Sequence, residues 1–268
     1  MTRPRRAYAD GPYGQIHYQV LGEGLPLILL HQAMMASGQF DWVYAPLAKR
    51  GIRAIGIDMP GFGMSDMTPM VPRVEDLACC VPPVLDALGL TSAAILGHHT
   101  GAMIATEAAI QFPHRISALI MNGPMPVTEA ERQDFLNNGY PREKANVAVS
   151  GGKHFNVVFA GRERLAAGTV PLDRISNYVV QAFVGQAPYW YGHHAAFQYH
   201  HELSLPKIPC CAMILTNTGD IIYENAKRAK AIRPDIPLVA LDGGGVDIVD
   251  QQPEQWADAV AHFLKIPR

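Results

Sequence analysis

The chain has 268 residues, 49% of them hydrophobic and 17% charged, with 22 Lys and Arg against 24 Asp and Glu for a formal charge of -2. That balance excludes a disordered chain and gives no basic patch for nucleic acid. No apolar run reaches the roughly 18–20 residues needed to span a bilayer, so no membrane partner is expected.

The opening "MTRPRR" is a basic cluster with no apolar run of about 7–15 residues after it, which reads as a frayed tail and not as a secretory signal. "AYADGPYGQIHYQVLG" gives two short strands with "DGPYG" as the turn. "LPLILLH" is a buried strand ending at His31, followed by a helix from about Ser37 to Arg50 with Trp42, Leu47 and Ala48 on its apolar side. "GIRAIGID" is the next buried strand. "RVEDLACCVPPVLDALGL" is a helix interrupted at Pro82-Pro83. "TSAAILG", "TGAMIATEAAIQFP" and "RISALIMNG" continue as strand, helix and strand. From Pro124 to about Leu205 the alternation stops, in a stretch rich in Asn, Arg, Gly and aromatics. It resumes with "IPCCAMILT", "YENAKRAKAI", "IPLVALDG" and "QPEQWADAVAHFLKI" as strand, helix, strand and helix. Alternating strands and helices build a mostly parallel, doubly wound sheet of about eight strands. The expected division is a core of residues 1–123 and 206–268 with a helical cap insertion at 124–205.

The cysteines form two adjacent pairs, Cys79-Cys80 and Cys210-Cys211. That spacing suits neither a disulfide framework nor a zinc site, and it reads as core thiols of a cytoplasmic protein. Neither "GFGMSD" nor "DGGGVD" opens into a phosphate-binding helix start, so no nucleotide or other cofactor is expected. No metal is expected either.

Three stretches carry a resemblance. They are "LLHQAMMASGQFDW", "GIDMPGFGMSD" from Gly56 to Asp66, and "GHHTG" from Gly97 to Gly101 between a strand and a helix. In this order they resemble the α/β-hydrolase superfamily, whose nucleophile sits on a strained strand-to-helix elbow flanked by glycines. "ILTNTGD", ending at Asp220, is similar to the segment that carries the family's acid. "LDGGGVDIVDQQPEQW" is similar to the one that carries its histidine. The resemblance implies the α/β-hydrolase fold and small-molecule chemistry.

The chain departs from that pattern twice. His99 stands where the family has its nucleophilic serine, and Val246 stands where it has its histidine. The two changes read as one event, with the ring moved to the elbow and its former place vacated. His99 is then expected to reach Asp220 directly, the carboxylate fixing the tautomer of a general base. By resemblance, the backbone N–H groups of Ala33 and Thr100 form the oxyanion hole. Gln32 replaces the usual glycine there. His31 is expected to brace that loop, and His98 to pack inside. His31, Gln32, Met34, Met125, Trp190, His194 and Val246 are the expected pocket residues.

In "YWYGHHAAFQYHHELS", a spacing of seven places His193 over His200 and His194 over His201 if the segment is one helix. His17, His114 and His262 read as surface or turn residues. Asp247 and Asp250 read as helix-capping or solvated, with a displaced acid as their other reading.

The expected function is cleavage of a bond adjacent to a carbonyl (ester, lactone or C–C) in a small, fairly apolar substrate, with His99 as base and no cofactor. The alternatives are a hydrolase that uses a cap histidine as base and a catalytically silent ligand-binding member of the fold. A homodimer is compatible with the sequence.

Overall fold

The structure is a computed structural model that describes residues 3–265. Its strands are β1 (Arg5–Gly11), β2 (Gly14–Leu21), β3 (Leu25–Leu30), β4 (Ile52–Ile57), β5 (Ala93–His98), β6 (Ile116–Asn122), β7 (Ala212–Asn217) and β8 (Leu238–Leu241). They form one eight-stranded sheet in the order β1-β2-β4-β3-β5-β6-β7-β8. β1 and β2 form a hairpin, β2 runs antiparallel to β4, and every other pairing is parallel. The helices before the insertion are α1 (Tyr44–Lys49), α2 (Val74–Ala78), α3 (Val81–Ala87) and α4 (Thr100–Gln111).

Both faces of the parallel strands are covered, which is why they read as unbroken apolar runs. The period of two sorts their side chains. Ile28, Leu30, Ile55, Ile57 and Ile95 pack towards α2, α3 and α4. Leu27, Leu29, Ala54, Leu96 and Ile120 pack the other way, against Tyr44 and Leu47 of α1 and Trp256 and Val260 of the last helix. Pro82 and Pro83 fall in the first turn of α3, where a missing N–H costs nothing, so the expected single helix becomes α2 and α3.

Between β6 and β7 the described residues hold no strand. They hold α5 (Glu129–Asp134), a π-helical turn (Phe135–Gly139), α6 (Tyr140–Lys144), α7 (Lys153–Ala166), α8 (Leu172–Val184), α9 (Tyr191–Gln198) and α10 (His201–Ser204). The chain closes with α11 (Tyr223–Ile232), α12 (Ile248–Gln251) and α13 (Pro253–Lys265).

Several local expectations are corrected. The basic opening is not a tail throughout, because Arg5 and Arg6 already pair with Val20 and Gln19 in the hairpin; Met1 and Thr2 lie outside the described residues. The helix placed at Ser37–Arg50 is a 3-10 turn (Ser37–Phe40) and the short α1. Trp42 is 42% exposed, with Arg174 over its ring, and Phe40, Val43 and Tyr44 take the buried side instead. His17 is buried, because β2 lies between β1 and β4 and not at the surface.

Candidate active site

His99 sits between β5 and α4 with φ +51° and ψ -111°, outside the wells open to ordinary side-chain-bearing residues. Its N–H donates to Asn122 O at 2.8 Å, and its carbonyl accepts from Ala102 N at 2.8 Å, which hold the strained turn. A Cβ on Gly97 would collide with the Gly101 carbonyl, and one on Gly101 would collide with the Leu30 carbonyl. The glycine spacing is therefore a packing requirement of the bend.

The imidazole projects from the elbow to Asp220, on the turn between β7 and α11, with Nε2 to Oδ2 at 2.8 Å. The other carboxylate oxygen accepts from Ile222 N at 3.2 Å. Burial pushes the Asp220 carboxyl up, but the facing His99 outweighs it and leaves the group below the ordinary aspartate range. An ionised carboxylate only accepts, so His99 carries its proton on Nε2 and its lone pair on Nδ1. The family's usual triad has the reverse arrangement, with the carboxylate on Nδ1 and Nε2 as base.

Gly123 makes room for that ring and was missed in the sequence. Its φ is +66°, and a Cβ there would lie 2.6 Å from His99 Cδ2 and 3.0 Å from Nε2. The "MNG" ending of β6 was its only signal.

The other expected residues are placed as follows. His31 is buried, with Nδ1 2.8 Å from Gln32 O and Nε2 accepting from Met59 N at 3.1 Å. Burial pushes its pKa down to about 4, so the ring is a neutral brace under the loop. Ala33 is buried on that loop, and α9 packs directly on it, since a Cβ on Gly192 would meet Ala33 Cβ at 2.9 Å. Met34 takes φ +66° to turn the loop. Gln32 N donates to Gln39 Oε1 at 2.9 Å, so the Gln39 amide nitrogen faces His98 Nδ1 at 2.5 Å and donates to it. The chain of bonds ties the expected oxyanion loop to the residue beside the elbow. Thr100 is buried at the first position of α4. The Gln32 side-chain amide nitrogen and His98 Nε2 are buried without a protein partner.

The residues expected on the cap each have contacts of their own. His193 and His200 share no helix, because α9 ends at Gln198 where Tyr199 turns extended. His193 pairs with Glu143 at 2.7 Å, and although burial lowers its pKa, Glu143 outweighs that and raises it. His194 packs against Trp190 and Tyr140 and lines a groove of about 670 Å³ with Glu107, Tyr199 and His200. His201 is buried against Thr106, and burial drives its pKa down to about 3. Met125 lines a separate cavity beside Ile222.

Val246 is buried on the loop after β8, where the Asn217 amide donates to Gly243 O and Gly245 O, both at 3.2 Å. Asp247 and Asp250 neither cap a helix with their side chains nor face solvent. Asp247 pairs with Arg162 of α7, while Asp250 pairs with Arg174 of α8 at 2.9 Å and accepts from Tyr178 Oη. Arg174 also donates to Gly38 O and Gln39 O. These buried pairs tie α7 and α8 to the loop that carries Val246. Among the described residues, no group of three His, Cys, Asp or Glu could hold a metal ion, and no helix is long and apolar enough to cross a membrane.

Comparison with known proteins agrees with this architecture. Over 146 residues the chain is 38% identical to a 2-hydroxy-6-oxononadienedioate/2-hydroxy-6-oxononatrienedioate hydrolase of Pseudomonas putida, covering 48% of this chain and 49% of that protein. Over 113 residues it is 35% identical to a 2-hydroxy-6-oxo-6-phenylhexa-2,4-dienoate hydrolase of Comamonas testosteroni, covering 41% and 40%. The match thus spans less than half the length of these relatives. A solved esterase from Exiguobacterium antarcticum superposes with a TM-score of 0.82 at 18% identity, covering 97% of this chain and all of that one, which shows a shared fold. Residues 26–164 match the family defined by the alpha/beta hydrolase fold, so the chain belongs to the α/β-hydrolase family.

Proposed function

We propose that the protein cleaves a bond adjacent to a carbonyl in a small, fairly apolar substrate, ester or C–C, with His99 as general base and no serine nucleophile. The observation that carries this is the 2.8 Å contact between His99 Nε2 and Asp220 Oδ2 across the elbow. Asp220 holds Nε2–H, which leaves Nδ1 as the nitrogen that takes a proton, and the buried carboxylate stabilises the imidazolium that results. In the hydrolytic form, Nδ1 removes a proton from water, the hydroxide adds to the carbonyl carbon, and the imidazolium returns the proton to the leaving group. The N–H groups of Ala33 and Thr100 donate hydrogen bonds to the developing oxyanion. The hydrolase names of the relatives support this class of bond.

The test is turnover of a panel of p-nitrophenyl esters together with a vinylogous 1,5-diketone. His99→Ala is expected to abolish turnover and leave product binding intact, and Asp220→Asn to cut kcat/KM by roughly 100-fold or more. Full turnover in His99→Ala would discard the reading, and ligand-dependent melting without any product would assign a binding protein instead.

A further inference from the structure

Helix α8 carries apolar side chains on two sides. Its inner side is fixed to the core. Ile175, Tyr178 and Val179 are buried there, Arg174 donates to Gly38 O and Gln39 O, and Gln181 Oε1 accepts from Ala36 N at 3.1 Å. Its outer side carries Leu172, Ser176, Val180 and Val184, each four residues from the next and all exposed. The three hydrophobic members are 58%, 61% and 47% exposed. Residues at that spacing form one continuous ridge along a helix. A single exposed apolar side chain is ordinary, but a ridge of them on a rigid helix is a contact surface without its cover.

The ends of the ridge differ in charge. Phe155, exposed near the start of α7, packs edge-on against Phe183 near the end of α8, with 4.8 Å between centroids, so the two helices run antiparallel. Lys153 at the start of α7 therefore lies towards the Val184 end of the ridge, and Asp173 lies at the Leu172 end, both exposed. With Glu163 and Arg164 also exposed on α7, the two helices show both signs of charge, which suits an anionic lipid surface poorly.

We propose that this ridge is the contact between two copies of the chain, packed antiparallel about a two-fold axis at the level of Tyr178. The spacing is self-complementary under that axis. Leu172 meets the partner's Val184, and Ser176, small enough to let the helices approach, meets the partner's Val180. The same operation brings Asp173 towards the partner's Lys153, once at each end. With α7 beside it, α8 offers a face about 20 Å long and about 20 Å wide, a footprint of about 400 Å² per copy that fits a reversible dimer and not a permanent one.

The test is sedimentation velocity of the full chain over a concentration series reaching the hundreds of micromolar. Wild-type protein is expected to shift reversibly from monomer to dimer, and to shift less at high salt. Val180→Glu, at an exposed position, is expected to abolish the shift. Asp173→Lys and Lys153→Asp each set like charges against the partner at both ends, and each is expected to raise the dimer Kd about tenfold. An equimolar mixture of those two variants is expected to regain wild-type association, because both contacts are then opposite in sign. That rescue cannot come from misfolded chains, and far-UV circular dichroism of all three variants should match wild type. A wild-type chain that stays monomeric throughout, a dimer that Val180→Glu leaves intact, or a mixture that associates no better than its components would overturn the proposal. A monomer that instead floats with vesicles of phosphatidylcholine and phosphatidylglycerol would give the face to a lipid surface and overturn it as well.

Discussion

Gly123→Ala separates the cost of a strained backbone from the cost of displacing the His99 ring. At φ +66° an alanine pays about 1 kcal/mol for its left-handed conformation alone. Its Cβ would also lie 2.6 Å from His99 Cδ2, where a carbon–carbon contact needs about 3.6 Å, so the imidazole must retreat by about 1 Å. That retreat stretches the 2.8 Å bond to Asp220 beyond hydrogen-bonding range. A bond to a charged group contributes about 1.5–3 kcal/mol, so kcat/KM is expected to fall roughly 10- to 100-fold. Gly89→Ala is the matched control, because Gly89 has the same φ of +66° and nothing within 4 Å of the added Cβ. Both variants should lose similar stability from strain, read by urea unfolding. Only Gly123→Ala should shift the His99 imidazole proton and nitrogen resonances and slow turnover. Identical spectra and rates in the two variants would refute the claim that Gly123 sets the ring's position.

Three more predictions follow from the geometry. Asp247→Ala strands the buried Arg162 and is expected to cost about 3–5 kcal/mol in urea unfolding, most of it recovered by Asp247→Ala/Arg162→Leu; equal stabilities in the single and double variants would contradict this. His31, His98 and His201 are all buried with depressed pKa values, so the native state refuses protons that the unfolded chain accepts. Their stability is fully present above about pH 6.5 and is lost as pH falls towards 4, about 3 kcal/mol for His31 alone; the slope of unfolding free energy against pH should drop by one proton in His201→Leu. Because the elbow glycines and Asp220 are in place, His99→Ser/Val246→His is expected to become labelled at the elbow by a serine-directed phosphonate, while wild-type protein and His99→Ser alone stay unlabelled by mass spectrometry.

The sheet was legible because a strand covered on both faces must be apolar at every position, as in "LPLILLH" and "GIRAIGID". The contact between His99 and Asp220 was legible because each ends a strand run at the same edge of the sheet, and because Val246 signalled a vacated place. What failed were pairings between segments far apart in sequence. Asp247 and Asp250 look like helix-start acids until Arg162 and Arg174, 85 and 76 residues away, are brought onto them. His17 looks solvated until the topology sets it 2.8 Å from Asp58, 41 residues on. The two histidine pairs of "YGHHAAFQYHHELS" seemed to share a helix because a period of seven cannot report the break at Tyr199.

Relocating the ring has a chemical consequence. In a serine triad the acid and the nucleophile lie on opposite sides of a histidine that both must reach. Here the elbow residue meets the acid directly, and the loop at Val246 has no ring to present. Its neighbours Asp247 and Asp250 face α7 and α8 instead, each buried against an arginine. Buried ion pairs of this kind fix geometry more than they add stability, since desolvation offsets most of the attraction. The segment after β8 is thereby tied to α7 and α8 of the insertion. The orientation of the His99 ring is set from one side by Asp220 and from the other by the space left at Gly123, the two constraints on which the proposed proton transfer depends.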